Sequence, residues 1–214
     1  MNETPRSLGK YELLDVVEEG MTGTLYKARN SETLRPVFLK VISEVISHSP
    51  QFRKKFFDQW ASHQTLIDHP NIANVLEFGR HEDAYFVAVE FEDGQRLSER
   101  LAAGDLEPDE AVDVARQVAE GLRAAHRLGV VHGNLTPDCV ILGRDQMKRR
   151  LVRVIFFDIA VSASESMVSV YGELVGVPKY IAPEVMRGSN PTARSDVFAL
   201  GVMAYEALTG QEPF

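Results

Sequence analysis

The chain has 214 residues, 44% of them hydrophobic and 25% charged, enough for one large domain or two small lobes sharing a cleft. A formal charge of -8 argues against a nucleic-acid footprint, which would be basic. One cysteine cannot build a disulfide framework, the first six residues lack the apolar core of a signal peptide, and no apolar run is long enough to span a membrane. A cytoplasmic chain without membrane insertion is expected, alone or as a piece of something larger.

The first half alternates like sheet. Tyr11–Val17, Thr24–Ala28 and Val37–Ile42 carry the β-branched and aromatic enrichment of short strands. Phe52, Phe56, Trp60 and Ile67 fall on one helical stripe, which predicts a helix over Phe52–Ile67. Val75–Phe78 and Ala84–Phe91 predict two more strands, and Glu92-Asp93-Gly94 a linker. Pro108 followed by Asp109 and Glu110 is a strong helix start, and Ala111, Val114, Val118, Leu122 and Ala125 carry the stripe to His126. Strands with one helix, a hinge and then a helical half predict an α+β protein in two lobes. The expected division is a tail over 1–10, a first lobe with hinge over 11–92, and a second lobe over 93–214.

Motifs then follow one another in a telling order. Glu18-Glu19-Gly20-Met21-Thr22-Gly23 is similar to a glycine-rich loop, and Val37-Phe38-Leu39-Lys40 to a strand bearing a phosphate-binding lysine. His69-Pro70-Asn71-Ile72, His132-Gly133-Asn134-Leu135-Thr136-Pro137-Asp138-Cys139, Phe156-Phe157-Asp158, Gly176–Glu184 and Ser195–Gly201 follow. Over Tyr11 to Phe214 the chain resembles the protein kinase family, of the bacterial serine/threonine type. The resemblance implies a bilobal kinase-like fold, with a β-rich first lobe holding one regulatory helix and a mainly helical second lobe. Further helices normally follow the position of Phe214, so a fragment or a shortened second lobe is expected.

Set against that family, residue by residue, the chemistry departs. The catalytic-loop base position holds Asn134, whose amide has no useful basicity. The loop lysine position holds Thr136, and the second metal-binding position holds Cys139, a soft ligand for a hard cation. The arginine before the base is Gly133. The first metal ligand falls on Phe156 in the register that matches Phe157, Ile159 and Ala160; a shifted register offers Asp158 instead. The glutamate expected to pair with the lysine is replaced by Trp60, and Glu18 stands at the first glycine of the loop. The nucleotide cleft implied by the resemblance would comprise Gly20, Gly23, Lys40, Phe38, Glu90, Glu92 and Ile141. Phe38, in place of a small residue, would occupy the adenine slot and pack on Leu25 or Ile141. The central apolar stack would comprise Gln64, Val75, His132 and Phe157. Glu184 and Asp196 match structural positions of the family. Ser162, Ser164, Ser166, Ser169 and Tyr171 read as an exposed polar loop or as sites for another kinase.

Three readings compete: an inactive kinase-like scaffold, a weak nucleotide-dependent transferase, and a nucleotide sensor. The replacements favour the first. It carries the expectations of no enzyme activity, no ATP or magnesium cofactor, no metal site, and partners that are other proteins, such as an active kinase or its substrates.

Overall fold

Tyr11 on one strand donates its hydroxyl to the carboxylate of Glu77 at 2.6 Å, although several strands lie between them in the sheet order. The first sheet is therefore curled. These relations come from a computed structural model, which describes residues 7–20, 22–48, 52, 67–104, 106–156 and 177–214. The chain divides into two units, residues 1–65 with 74–91 and residues 66–73 with 92–214.

In the first unit the strands are β1 (Ser7–Leu8), β2 (Tyr11–Gly20), β3 (Gly23–Asn30), β4 (Pro36–Ile42), β5 (Val75–His81) and β6 (Ala84–Glu90). They form one sheet in the order β1-β2-β3-β4-β6-β5, every pairing antiparallel. A short helix α1 (Glu44–Ser47) follows β4. Side chains alternate across a strand, and β4 uses both faces. Val37 and Leu39 join Leu8, Tyr11, Ala28, Phe86 and Ala88 in one apolar cluster. Phe38 and Lys40 point the other way, opposite Val89 and Val87 of β6. The strands predicted from Tyr11, Thr24 and Val75 all run longer than expected, because ladder hydrogen bonds continue into polar residues. Phe52 is fully buried, its ring edge-on to Tyr85 at 5.6 Å. The rest of the predicted helix up to residue 66, with Trp60 and Gln64, lies outside the described residues.

The second unit holds β7 (Gly94–Arg96), α2 (Leu97–Ala103), α3 (Pro108–Arg127), β8 (Val140–Arg144), β9 (Arg150–Val154), α4 (Pro183–Met186) and α5 (Ala193–Thr209). The stripe read from the sequence is the buried face of α3, with Ala111, Val114, Val118, Leu122 and Ala125 all inside. Pro108 in the first turn forfeits an amide that no helix could use, and Asp109 and Glu110 oppose the positive end of the helix dipole. α5 packs against α3, and Val202 and Met203 enter the same core as Val118 and Leu122. A capping box between Thr192 and Ser195 starts α5.

The linker reading of Gly94 is corrected: it opens β7, because its backbone pairs with Gly143 in a three-stranded sheet, β7-β8-β9. Residues 67–73 are tied to this unit by Asn71. Its side-chain amide donates to Gln117 and to the Val152 carbonyl, both at 2.8 Å, and its own carbonyl accepts from Val154. Among the described residues no helix is long and apolar enough to cross a membrane.

Candidate functional site

The loop after α3 is built around one buried carboxylate. Asp196, on the first turn of α5, is 1% exposed. Its two oxygens accept the backbone N–H groups of His132 at 2.8 Å and Gly133 at 2.9 Å, and the His126 ring nitrogen donates to it at 2.8 Å. Gly133 has φ +78°, a left-handed conformation that suits glycine and would strain the arginine expected by resemblance.

His132 is buried and acts as a bracket. Its Nε2 lies 3.1 Å from the Ile155 carbonyl, which can only accept, so Nε2 carries the proton. Nδ1 then accepts the N–H of Asn134 at 3.3 Å. Burial holds this imidazole below its usual pKa, against the opposing pull of Asp196. The neutral ring thus fixes Asn134 relative to the end of β9.

The segment beyond Asn134 closes on itself. Thr136 is buried, with its hydroxyl 3.7 Å from the Cys139 sulfur, and the thiol donates to the Asn134 carbonyl at 3.8 Å. Asp138 faces away, accepting from Ser98 at 2.5 Å and from Arg96 at 3.4 Å. Phe156 follows β9 with φ +63°, unusual for a bulky side chain. Phe157 and Asp158 lie outside the described residues, as does the polar serine-rich segment with Tyr171. Glu184 is exposed on α4.

The first unit carries the other group of predicted residues. Gly20 and Gly23 pair at the end of the β2–β3 ladder. Gly23 has φ +130°, and a Cβ there would stand 1.9 Å from the Val41 carbonyl oxygen, so only glycine fits this turn. Lys40 is 6% exposed, its ammonium 4.0 Å from the Glu18 carboxylate. A buried lysine needs a countercharge, and Glu18, read from the sequence only as a repulsive group, stands within ion-pair reach. Phe38 is buried, and its ring partner is Phe91 at 4.8 Å, with Lys27 over the same Phe91 ring. Sequence reasoning missed Phe91 as the partner of Phe38; an aromatic residue at the end of the predicted strand Ala84–Phe91 was the available signal. Glu90 is tied to Asn74 by reciprocal bonds. Glu92 and Ile141 belong to the second unit, where Glu92 pairs with Arg153 at 3.0 Å and Ile141 is buried on β8.

These residues fit a phosphate group and a divalent cation unequally. Lys40 beside a turn that admits only glycine offers a cation and close backbone approach, which suits phosphate. Among the described residues no cluster of three acidic, histidine or cysteine side chains could hold a metal ion. The carboxylate Asp158 is not among them.

The sequence pattern described as the protein kinase domain matches residues 11–214. The serine/threonine-protein kinase PrkC of Bacillus subtilis is 30% identical over 210 residues, covering 98% of this chain and 32% of that protein. Pkn1 of Myxococcus xanthus, also a serine/threonine-protein kinase, is 34% identical, covering 96% of this chain and 30% of its own length. The chain thus spans about a third of the curated relatives it matches. Among solved structures, the kinase domain of Mycobacterium tuberculosis PknI superposes with a TM-score of 0.75 at 21% identity, over 97% of this chain and 77% of that one. Rad53 in complex with AMP-PNP superposes with a TM-score of 0.75 at 25% identity, over 96% of this chain and 50% of that one. These findings bear out the kinase-like α+β fold. They overturn two expectations. That the chain is not an enzyme conflicts with near-full-length similarity to named kinases. That it takes neither ATP nor magnesium conflicts with the same names and with the AMP-PNP complex. Those expectations leaned on the joint replacement of several site positions, whereas the similarity to named kinases runs along nearly the whole chain.

Proposed function

The chain belongs to the protein kinase domain family, and on that premise we propose that it is a nucleotide-binding serine/threonine protein kinase-like transferase of low activity. Lys40 carries the reading. It is a buried lysine on β4, beside a glycine-only turn, with Glu18 as its countercharge. An ammonium so placed offers a fixed positive charge to a phosphate oxygen, and Gly20 and Gly23 leave backbone close enough to approach it. Bound ATP would supply the phosphoryl group: the bond between the γ-phosphorus and the oxygen bridging to the β-phosphate breaks, ADP leaves with that oxygen, a P–O bond to a serine or threonine hydroxyl forms, and the hydroxyl proton passes to water or to a phosphate oxygen.

Phosphoryl transfer is mostly positioning and electrostatics, and the His132–Asp196 bracket provides the positioning for the loop. Asn134 orients a hydroxyl by hydrogen bonding but takes no proton. Lacking a positioned base lowers a rate by about 10²–10⁴-fold, which is why the activity is placed low rather than at zero. Protein substrates or a partner kinase, in a cytoplasmic setting, complete the proposal.

The test is incubation with radiolabelled ATP and a divalent cation, beside a thermal shift with and without nucleotide. Slow label incorporation and a nucleotide-dependent shift, both lost in Lys40→Ala, are expected. Absence of both at millimolar ATP would overturn the reading.

A further inference from the structure

The hairpin of β8 and β9 places two arginines where a sheet would normally avoid them. Arg144 and Arg150 are directly opposite across the ladder, and like charges at that spacing repel. Residues opposite one another share a face, as do residues two apart along a strand, so Leu142 and Val152 lie on the face that Arg144 and Arg150 occupy. All four line one open cavity of about 600 Å3 in the second unit, with Val114 of α3 behind them.

Compensation within the cavity is incomplete. Arg100 and Glu110 neutralise each other through two contacts, 3.3 and 3.1 Å. Arg150 forms no ion pair or side-chain hydrogen bond among the described residues, and Arg144 donates only to the Lys148 carbonyl, at 2.9 Å. The one other carboxylate of the lining, Asp93, pairs with neither. The hairpin is also held ready: Asp145 accepts the backbone N–H groups of Met147 and Arg149, fixing the turn that carries both arginines. Two exposed guanidiniums beside the partly exposed Leu142 select a ligand with carboxylates and an apolar side chain.

We propose that this cavity docks an acidic segment of a partner protein, its carboxylates on Arg144 and Arg150 and an apolar side chain over Leu142. This goes beyond the phosphotransfer reading, because binding here needs neither Lys40 nor a nucleotide.

The probe is a fluorescein-labelled peptide of alternating glutamate and leucine, followed by anisotropy on the full chain without nucleotide. Glutamine in place of glutamate should weaken binding at least about tenfold, the size of losing charge-assisted contacts. Serine in place of leucine should weaken it too, and affinity should fall as salt rises. The Arg144→Ala/Arg150→Ala double variant should lose the same factor without a fall in melting temperature, since both side chains are exposed and repel each other. Equal binding by that variant would mean the arginines only guard the β9 edge and would overturn the proposal. So would equal affinity for the glutamine peptide, or for the serine peptide.

Discussion

Asp196 and His126 stand 2.8 Å apart, ring nitrogen to carboxylate oxygen, and that oxygen also accepts the backbone N–H of His132. One side chain on α5 therefore joins the end of α3 to the loop that carries Asn134. Replacing Asp196 by alanine leaves two backbone donors unsatisfied, one of them buried, at a cost of about 1–3 kcal/mol each. Asp196→Ala should lower unfolding free energy by about 3 kcal/mol or more, and Asp196→Asn by less, because the amide keeps one acceptor. Chemical denaturation measures this. A change in Asp196→Ala below about 1 kcal/mol would sink the bracket.

His132 predicts the pH dependence. The folded state holds this imidazole below its usual value of 6.5 because it is buried. As pH falls below 6.5, the unfolded chain takes up a proton that the folded chain resists, so the unfolded state gains. Stability should decline from neutral pH toward the depressed folded value and be flat in this contribution above 6.5. Melting curves of the parent and of His132→Gln, compared from pH 5 to pH 8, should converge toward the acid end. Parallel curves would remove His132 as the cause.

Asn134 offers a gain-of-function test. Its backbone is held by His132 and the adjacent Gly133 by Asp196, so a substituted carboxylate inherits a fixed position. Asn134→Asp should raise the phosphotransfer rate by about 10²-fold or more if the base is the deficit. Single-turnover kinetics on a serine-containing protein substrate would read it. An unchanged rate would put the deficit elsewhere, with Phe156 the next position to restore.

Phe156 sits at φ +63°, where a side chain with Cβ is disfavoured by roughly 1–2 kcal/mol. Comparing Phe156→Gly with Phe156→Ala isolates the backbone, since both remove the ring. The glycine variant should be the more stable by about 1 kcal/mol, the reverse of the usual order. Equal melting temperatures would mean that the left-handed backbone does not persist in solution.

The sequence by itself determined the periodic elements and the order of motifs. The stripe from Ala111 to Ala125 has one interpretation, because only a helix of 3.6 residues per turn brings those side chains to one face. β-Branched and aromatic content likewise marked Val37–Ile42 as a strand, and the motifs from Gly20 to Asp196 named the fold. What tertiary structure alone decided was pairing between residues distant in the chain. Glu18 reads as a repulsive charge until β2, β3 and β4 pair and bring it within 4.0 Å of Lys40. Gly94 reads as linker until β8 offers Gly143 as its ladder partner. Arg144 and Arg150 are unremarked in sequence, because only the register of the β8–β9 hairpin sets them face to face. Local periodicity is written in neighbouring residues, whereas the sign and use of a charge depend on which distant group the fold places beside it.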